Sequence, residues 1–227
     1  MKITYIHHSS FCVELEKNIL LFDYFEGNLP DFDKNKKLYV FVSHNHSDHF
    51  SPVVFDLRAN YKNIKYILSD DIKVKKEEDI YFVKENETVY LDEMKIETLK
   101  STDLGVAFII TVEGKTIYHA GDLNWWHWEG EIDSENKKME KMYKHEIEKI
   151  KDRYFDIAFV PLDSRQGKYF YLGFDEFMRN TNTKLAFPMH CWGDYSLVDK
   201  LSKMEKSKDY KERIINVNEI NREFDIK

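Results

Sequence analysis

The sequence predicts a single α/β domain over residues 1–227, on three observations. The length of 227 residues suits one large domain. Its apolar residues fall in short runs bounded by turn residues, as strands require. A strand-rich stretch is followed by a helix in each half, with no repeat, linker or low-complexity tract to divide them. With 42% apolar and 15% aromatic residues the chain can fill a core, which excludes generic disorder.

Lys2–Ile6, Phe11–Glu16 and Ile19–Phe22 read as a strand meander, and Leu38–Val42 as a further strand that runs straight into SHNHSDHF. A helix is expected from Pro52, where Val53, Val54, Leu57 and Tyr61 make one apolar stripe. Tyr66–Leu68, Ile80–Val83, Thr88–Leu91, Lys95–Leu99 and Val106–Thr111 follow as short strands. Gly114 turns the chain into Lys115–Tyr118, which releases HAGDLNWWHW. Ser134–Tyr154 reads as a charged helix with Met139, Met142, Tyr143, Ile147 and Ile150 facing inward. Strands at Ile157–Val160, Leu185–Phe187 and Ile214–Val217 alternate with helices around Gly173–Asn180 and Asp194–Met204. Asn218–Lys227 is left as a polar tail or an edge segment.

The formal charge is −7 and the pI about 5.8, so nothing draws the chain broadly to nucleic acid or to an anionic membrane. No run approaches the ~20 apolar residues of a membrane span, and the first residues lack a secretory pattern. Cys12 and Cys191 are too few for a disulfide scaffold. A cytoplasmic protein acting on a small molecule is the expectation.

Chemistry concentrates in HNHSDH, where His44, His46, Asp48 and His49 put three imidazoles and a carboxylate into six positions after a strand. Neutral imidazole and carboxylate are the donors that zinc and other divalent transition metals take, and a tight loop can aim them at adjacent ions. Asp122 in HAGD and His190 after LAFPM also stand just beyond predicted strands, where a side chain emerges at a sheet edge.

HNHSDH resembles the HxHxDH motif of the metallo-β-lactamase superfamily, and HAGD and FPMH follow in that family's order. The resemblance covers almost the whole chain and is nearest to the ascorbate-phosphate-lactonase-like hydrolases. It implies a four-layer αββα sandwich holding one or two divalent ions, zinc first, manganese or iron as alternatives. It also implies that Asp122 bridges the ions and that His190 completes the second site. Where the family supplies a histidine before the bridging aspartate, this chain has KSTDLGVAF. Asp103 is the local replacement, either as an oxygen ligand, which would favour harder ions, or as the cap of a turn.

Several neighbours have more than one reading. His8 either ligates, supports the site or only bonds at a strand end, and His119 either competes for the metal, orients Asp122 or satisfies a buried contact. Trp125, Trp126, His127 and Trp128 wall a substrate pocket or fill the core. Arg165 and Lys168 hold an anionic substrate or lie on an exposed loop. Together these residues predict a metal-dependent hydrolase of a lactone, ester or phosphoester, with Asp48 and Asp122 catalytic. The alternatives are a metal-using oxidoreductase and a nonenzymatic metal-dependent regulatory module.

Overall fold

Because the apolar runs are short and bounded by turns, they form strands that pair into two facing sheets. In the computed structural model, which describes residues 1–226, the first sheet is built from β1 (Lys2–His7), β2 (Ser10–Glu14), β3 (Asn18–Phe22), β4 (Lys37–Val42), β5 (Ile64–Ser69) and β6 (Ile80–Val83). The second comprises β7 (Thr88–Leu91), β8 (Met94–Lys100), β9 (Val106–Val112), β10 (Lys115–His119), β11 (Tyr154–Pro161) and β12 (Asn182–Met189). A last strand, β13 (Arg222–Asp225), returns to the first sheet beside β1, giving the order β13-β1-β2-β3-β4-β5-β6 against β12-β11-β10-β9-β8-β7.

Both sheets are mixed. β3 to β6 run parallel, as do β10 to β12, while the remaining pairs are antiparallel. β1 shares the direction of β3, so β1, β3 and β4 all release the chain at one edge of the first sheet. That is the edge at which α/β folds place their ligands.

Aromatic rings from the two inner faces meet between the sheets: Phe11 lies 4.3 Å from Phe159, and Phe41 lies 5.3 Å from Phe108, centroid to centroid. These rings are fully buried, and each contributes up to about 3 kcal/mol through the area it removes from water. Outside the second sheet, α1 (Asp133–Glu148) and α2 (Leu172–Asn180) cover β10 and β11, with Tyr118 stacked on Phe177 at 4.7 Å. The short helix α3 (Ser196–Ser202) buries Leu197, Val198 and Leu201 in the same core. On the outer face of the first sheet, Val54, Tyr24 and Phe32 close a second apolar cluster.

Three expectations are corrected. The element after Pro52 is a 3-10 helix, Pro52–Ala59, that buries Val54 alone, so one outer layer of the sandwich is thin. The helix expected to reach Tyr154 stops at Glu148, because Asp152 turns left-handed at φ 57° and the apolar run from Tyr154 joins the sheet. Ile214–Val217 forms no strand: it touches β12 through one bridge, Ala186 to Ile214, and Val217 then bonds back to Ile215. The edge strand comes instead from Arg222–Asp225, within the stretch left open as tail or edge; Lys227 lies outside the described residues. Cys12 and Cys191 are both buried and free. No helix among the described residues is long and apolar enough to cross a membrane.

Candidate metal centre

Six strands end at one place. His8 follows β1, Asp23 follows β3, the loop His44–His49 follows β4, Asp122 follows β10, Asp163 follows β11 and His190 follows β12. In the β4 loop the N–H groups of His49 and Phe50 both donate to the carbonyl of His46, at 3.0 and 2.8 Å. This turn carries His49 back toward His44, their rings 4.2 Å apart.

Close approach of the sheets needs glycine here. Gly105 (φ 66°) and Gly121 (φ 52°) adopt left-handed backbone. A Cβ on Gly105 would stand 1.9 Å from the Ser43 carbonyl oxygen, and one on Gly121 would stand 2.6 Å from Ser43 Cβ. His8 (φ 52°), Asp23 (φ 43°) and His190 (φ 63°) share that conformation without being glycine, a strain that such sites hold in place by surrounding structure.

The donor atoms fall into two groups, His44, His46 and Asp122, and His8, Asp48, His49 and His190, each with its ligand-type atoms within 4.8 Å of one another. Asp122 stands between them. Its Oδ2 lies 3.4 Å from His44 Nε2, while Oδ1 lies 3.1 Å from His49 Nε2 and 3.3 Å from His190 Nε2. Asp48 Oδ2 is 3.3 Å from His8 Nε2 and 3.8 Å from His190 Nε2.

Each of three rings has its far nitrogen engaged, which turns Nε2 toward the centre. His49 Nδ1 donates to Asp23 Oδ2 at 2.7 Å, and Asp23 also accepts from the Ser43 amide and hydroxyl, both at 2.7 Å. His190 Nδ1 donates to Asp163 Oδ2 at 3.0 Å, and His44 Nδ1 meets Ser43 Oγ at 3.0 Å. In consequence, His8 Nε2, His49 Nε2, His190 Nε2 and Asp122 Oδ1 are buried, face one another and have no hydrogen-bond partner. Unpaired buried polar atoms are costly, and four that converge fit a divalent cation.

The electrostatics match. Burial pushes the His8 pKa down to about 4 despite Asp48. Burial opposes ionisation of Asp122 and Asp48 as well, yet the surrounding imidazoles outweigh it and hold both carboxyls below their ordinary range. His49 goes the other way: Asp122 and Asp23 overcome its desolvation and favour the proton.

The remaining predicted residues divide. Asp103 lies at the rim, its carboxylate 3.9 Å from His46 Nδ1 and half exposed, and its backbone N–H donates to Ser101 Oγ at 3.1 Å. His119 is not among the converging donors: its Nε2 donates to the Ser9 carbonyl at 2.9 Å and its Nδ1 accepts from Gly121 at 3.2 Å. Its ring stacks on Phe22 at 4.8 Å, so it serves as a buried spacer between the sheets. A cavity of about 240 Å³ opens on the centre between Asp103, Asp122, Trp126, Trp128 and Arg165. Trp125, His127 and Lys168 stand outside it. Lys144 covers the Trp125 ring at 4.6 Å, His127 packs on Tyr169 at 3.9 Å, and Lys168 lies near Glu129 at 3.8 Å. On the other side, His8 and Asp48 border a second cavity, of about 310 Å³, with Phe25 and Trp192.

Sequence reasoning missed Asp23 and Asp163 as supports and Trp192 as a wall, whereas Trp126 and Trp128 line the first cavity as one of their two readings expected. Both aspartates are the first acidic residue after an apolar strand, in ILLFD and AFVPLD. That position at the loop-bearing edge was the available signal.

Two facing mixed sheets with histidines and aspartates gathered at one edge define the metallo-β-lactamase class of fold. The chain belongs to the beta-lactamase superfamily domain family, whose model matches residues 2–138. It is 25% identical over 213 residues to a UPF0173 metal-dependent hydrolase of Nanoarchaeum equitans, covering 84% of this chain and 83% of that one. In structure it resembles Igni18, a metallo hydrolase of Ignicoccus hospitalis (TM-score 0.65, 19% identity, 100% of this chain and 99% of the other). It likewise resembles the metallo-beta-lactamase fold protein YhfI of Bacillus subtilis (TM-score 0.66, 14% identity, 98% of each chain).

Proposed function

We propose that the chain is a metal-dependent hydrolase of a small lactone, ester or phosphoester. His44, His46 and Asp103 would hold one ion, Asp48, His49 and His190 a second, and Asp122 both; zinc is the first expectation, manganese or iron the alternative that the carboxylates allow. The observation that carries the reading is the set of four buried donor atoms without partners, His8 Nε2, His49 Nε2, His190 Nε2 and Asp122 Oδ1. The relative in Nanoarchaeum equitans, named a metal-dependent hydrolase, agrees with it.

When bound, such ions supply Lewis acidity toward a carbonyl or phosphoryl oxygen and lower the pKa of a water. In the hydrolysis itself the oxygen of water joins the acyl carbon or phosphorus, the bond to the leaving oxygen breaks, and that oxygen takes a proton. Asp48, at the border of the open second cavity, is the residue to accept the proton of the attacking water. Asp23 and Asp163 keep the His49 and His190 rings aimed inward. Trp126 and Trp128, stacked at 5.7 Å, wall the other cavity, the one that Asp122 lines.

The test is metal analysis of protein purified without added metal, followed by a panel of lactone, carboxyl-ester and phosphoester substrates. One or two divalent ions per chain are expected, lost from the His44→Ala, His46→Ala double variant, with metal-dependent turnover of one ester class. Unchanged metal content in that variant would sink the assignment. Iron with oxygen consumption and no hydrolysis would point to an oxidoreductase, and tightly held metal without turnover to a regulatory module.

A further inference from the structure

Arg165 is held more rigidly than a solvent-facing arginine needs to be. Its backbone N–H and its Nε donate to Asp163 Oδ1 at 2.8 and 3.0 Å, and Nη2 donates to Oδ2 at 2.6 Å. Asp163 has no solvent exposure and uses the same Oδ2 to accept from His190 Nδ1 and, at 3.2 Å, from Trp192 Nε1. The guanidinium carbon lies over two indole rings, 4.5 Å from the Trp192 centroid and 5.7 Å from that of Trp128. Nε and one N–H of Nη2 are thereby spent, and no described residue accepts from Nη1. Half of the side chain remains exposed, on the wall of the cavity that also contains Asp122.

A cation fixed by a buried carboxylate beside two indoles, with the N–H donors of its outer Nη1–Nη2 edge left over, is a preorganised receptor for an anion. It is the sole lysine or arginine among the residues lining that cavity. One positive charge with a single free edge suits a monoanion better than a phosphate dianion, which gains from several cations. We propose that the substrate carries a carboxylate that ion-pairs with Arg165 Nη1 while its hydrolysable group lies against Asp122. This rests on the hydrolase reading and adds to it the charge of the substrate and the residue that selects it.

The experiment uses the metallated protein and two esters of equal length, the 4-nitrophenyl monoester of adipic acid, which ends in a carboxylate, and the neutral 4-nitrophenyl ester of monomethyl adipate. The protein is expected to favour the carboxylate about tenfold or more in kcat/KM, the scale of one charge-assisted hydrogen bond. Arg165→Met should bring the ratio close to one, and Arg165→Lys should retain part of it. Because a ratio is read, a general loss from disturbing Asp163 does not mimic the result. A ratio of one in the unaltered protein, or a preference that survives Arg165→Met, overturns the proposal. If neither ester turns over, the hydrolase reading is decided by the wider substrate panel, and adipate binding followed by tryptophan fluorescence decides this proposal. Affinity about tenfold weaker in Arg165→Met supports an anion receptor at Arg165, whereas equal affinity or no saturable binding overturns it.

Discussion

Asp163 sets the geometry of the centre without facing it. Buried, with its pKa drawn down to about 2 against the cost of desolvation by His190 and Arg165, it fixes the direction of a ring whose other nitrogen points at Asp122. Asp163→Asn keeps the shape and removes the charge, so metal affinity is expected to fall about 10- to 100-fold in competition with a chelator while the circular dichroism is kept. An unchanged affinity would mean that His190 needs no orientation. His8 offers a sharper case, since its Nε2 is buried beside Asp48 and His190 with no hydrogen bond. In His8→Gln one ion should be lost more readily than the other on chelator titration, and parallel loss of both would leave His8 a packing residue. The histidines of HNHSDH were legible because ring density in a short loop is itself a signal. Asp23 and Asp163 were not, because one aspartate after a strand resembles any turn residue until the strands are known to end together. Asp103 was legible by its position before Gly105 and the next strand, and the backbone sets it at the rim, 3.9 Å from His46 Nδ1.

Turns matter as much as strands at the scale of elements. Asp92, in the hairpin between β7 and β8, reaches across to the first sheet, accepting from Lys65 at 2.8 Å and from the Tyr39 hydroxyl at 2.5 Å. Lys65 first, then Tyr39, lower its pKa from 3.8 to about 2. A depressed carboxyl contributes stability that is fully present above its unfolded value and lost as pH falls through its folded one. Screened by solvent, that contribution is about 1 kcal/mol. Asp92→Asn should therefore cost roughly that much in urea unfolding near pH 6, and the gap to the parent should close between about pH 4 and pH 2; a gap independent of pH would assign the effect to packing. Gly105→Ala is expected to do more damage than its size implies, by several kcal/mol, since the new Cβ meets the Ser43 carbonyl and displaces the loop that carries His44. Thermal unfolding checks it, and a near-parental Tm would refute the close approach. Ile80–Val83 and Thr88–Leu91 could be read to the residue because turn residues bound them, with Asn86 and Asp92 both left-handed. The end of α1 and the fate of Ile214–Val217 could not, because both depend on which sheet accepts the next backbone.

Taken whole, the molecule brings residues 8 and 190 into ring contact at 4.1 Å, with β1 in one sheet and β12 in the other. The α/β class was legible from local patterns, but the strand order was not, since nothing in REFD says that it returns to pair with β1. Removal of metal by chelation is expected to lower Tm, with a native-state gain of about 2.7 kcal/mol when free ion stands at 100 times its Kd; a Tm indifferent to chelation would contradict a site built from both sheets. The spread of the donors along the chain has a further consequence, in time rather than in energy. Only the local quartet from His44 to His49 can meet early, while Asp122 and His190 arrive once the sheets have docked, so a cation held by donors from both sheets stabilises the native state after the folding barrier has been crossed. Such a cation should leave the refolding rate nearly unchanged and lengthen the lifetime of the folded molecule, acting as a latch that closes last and opens first.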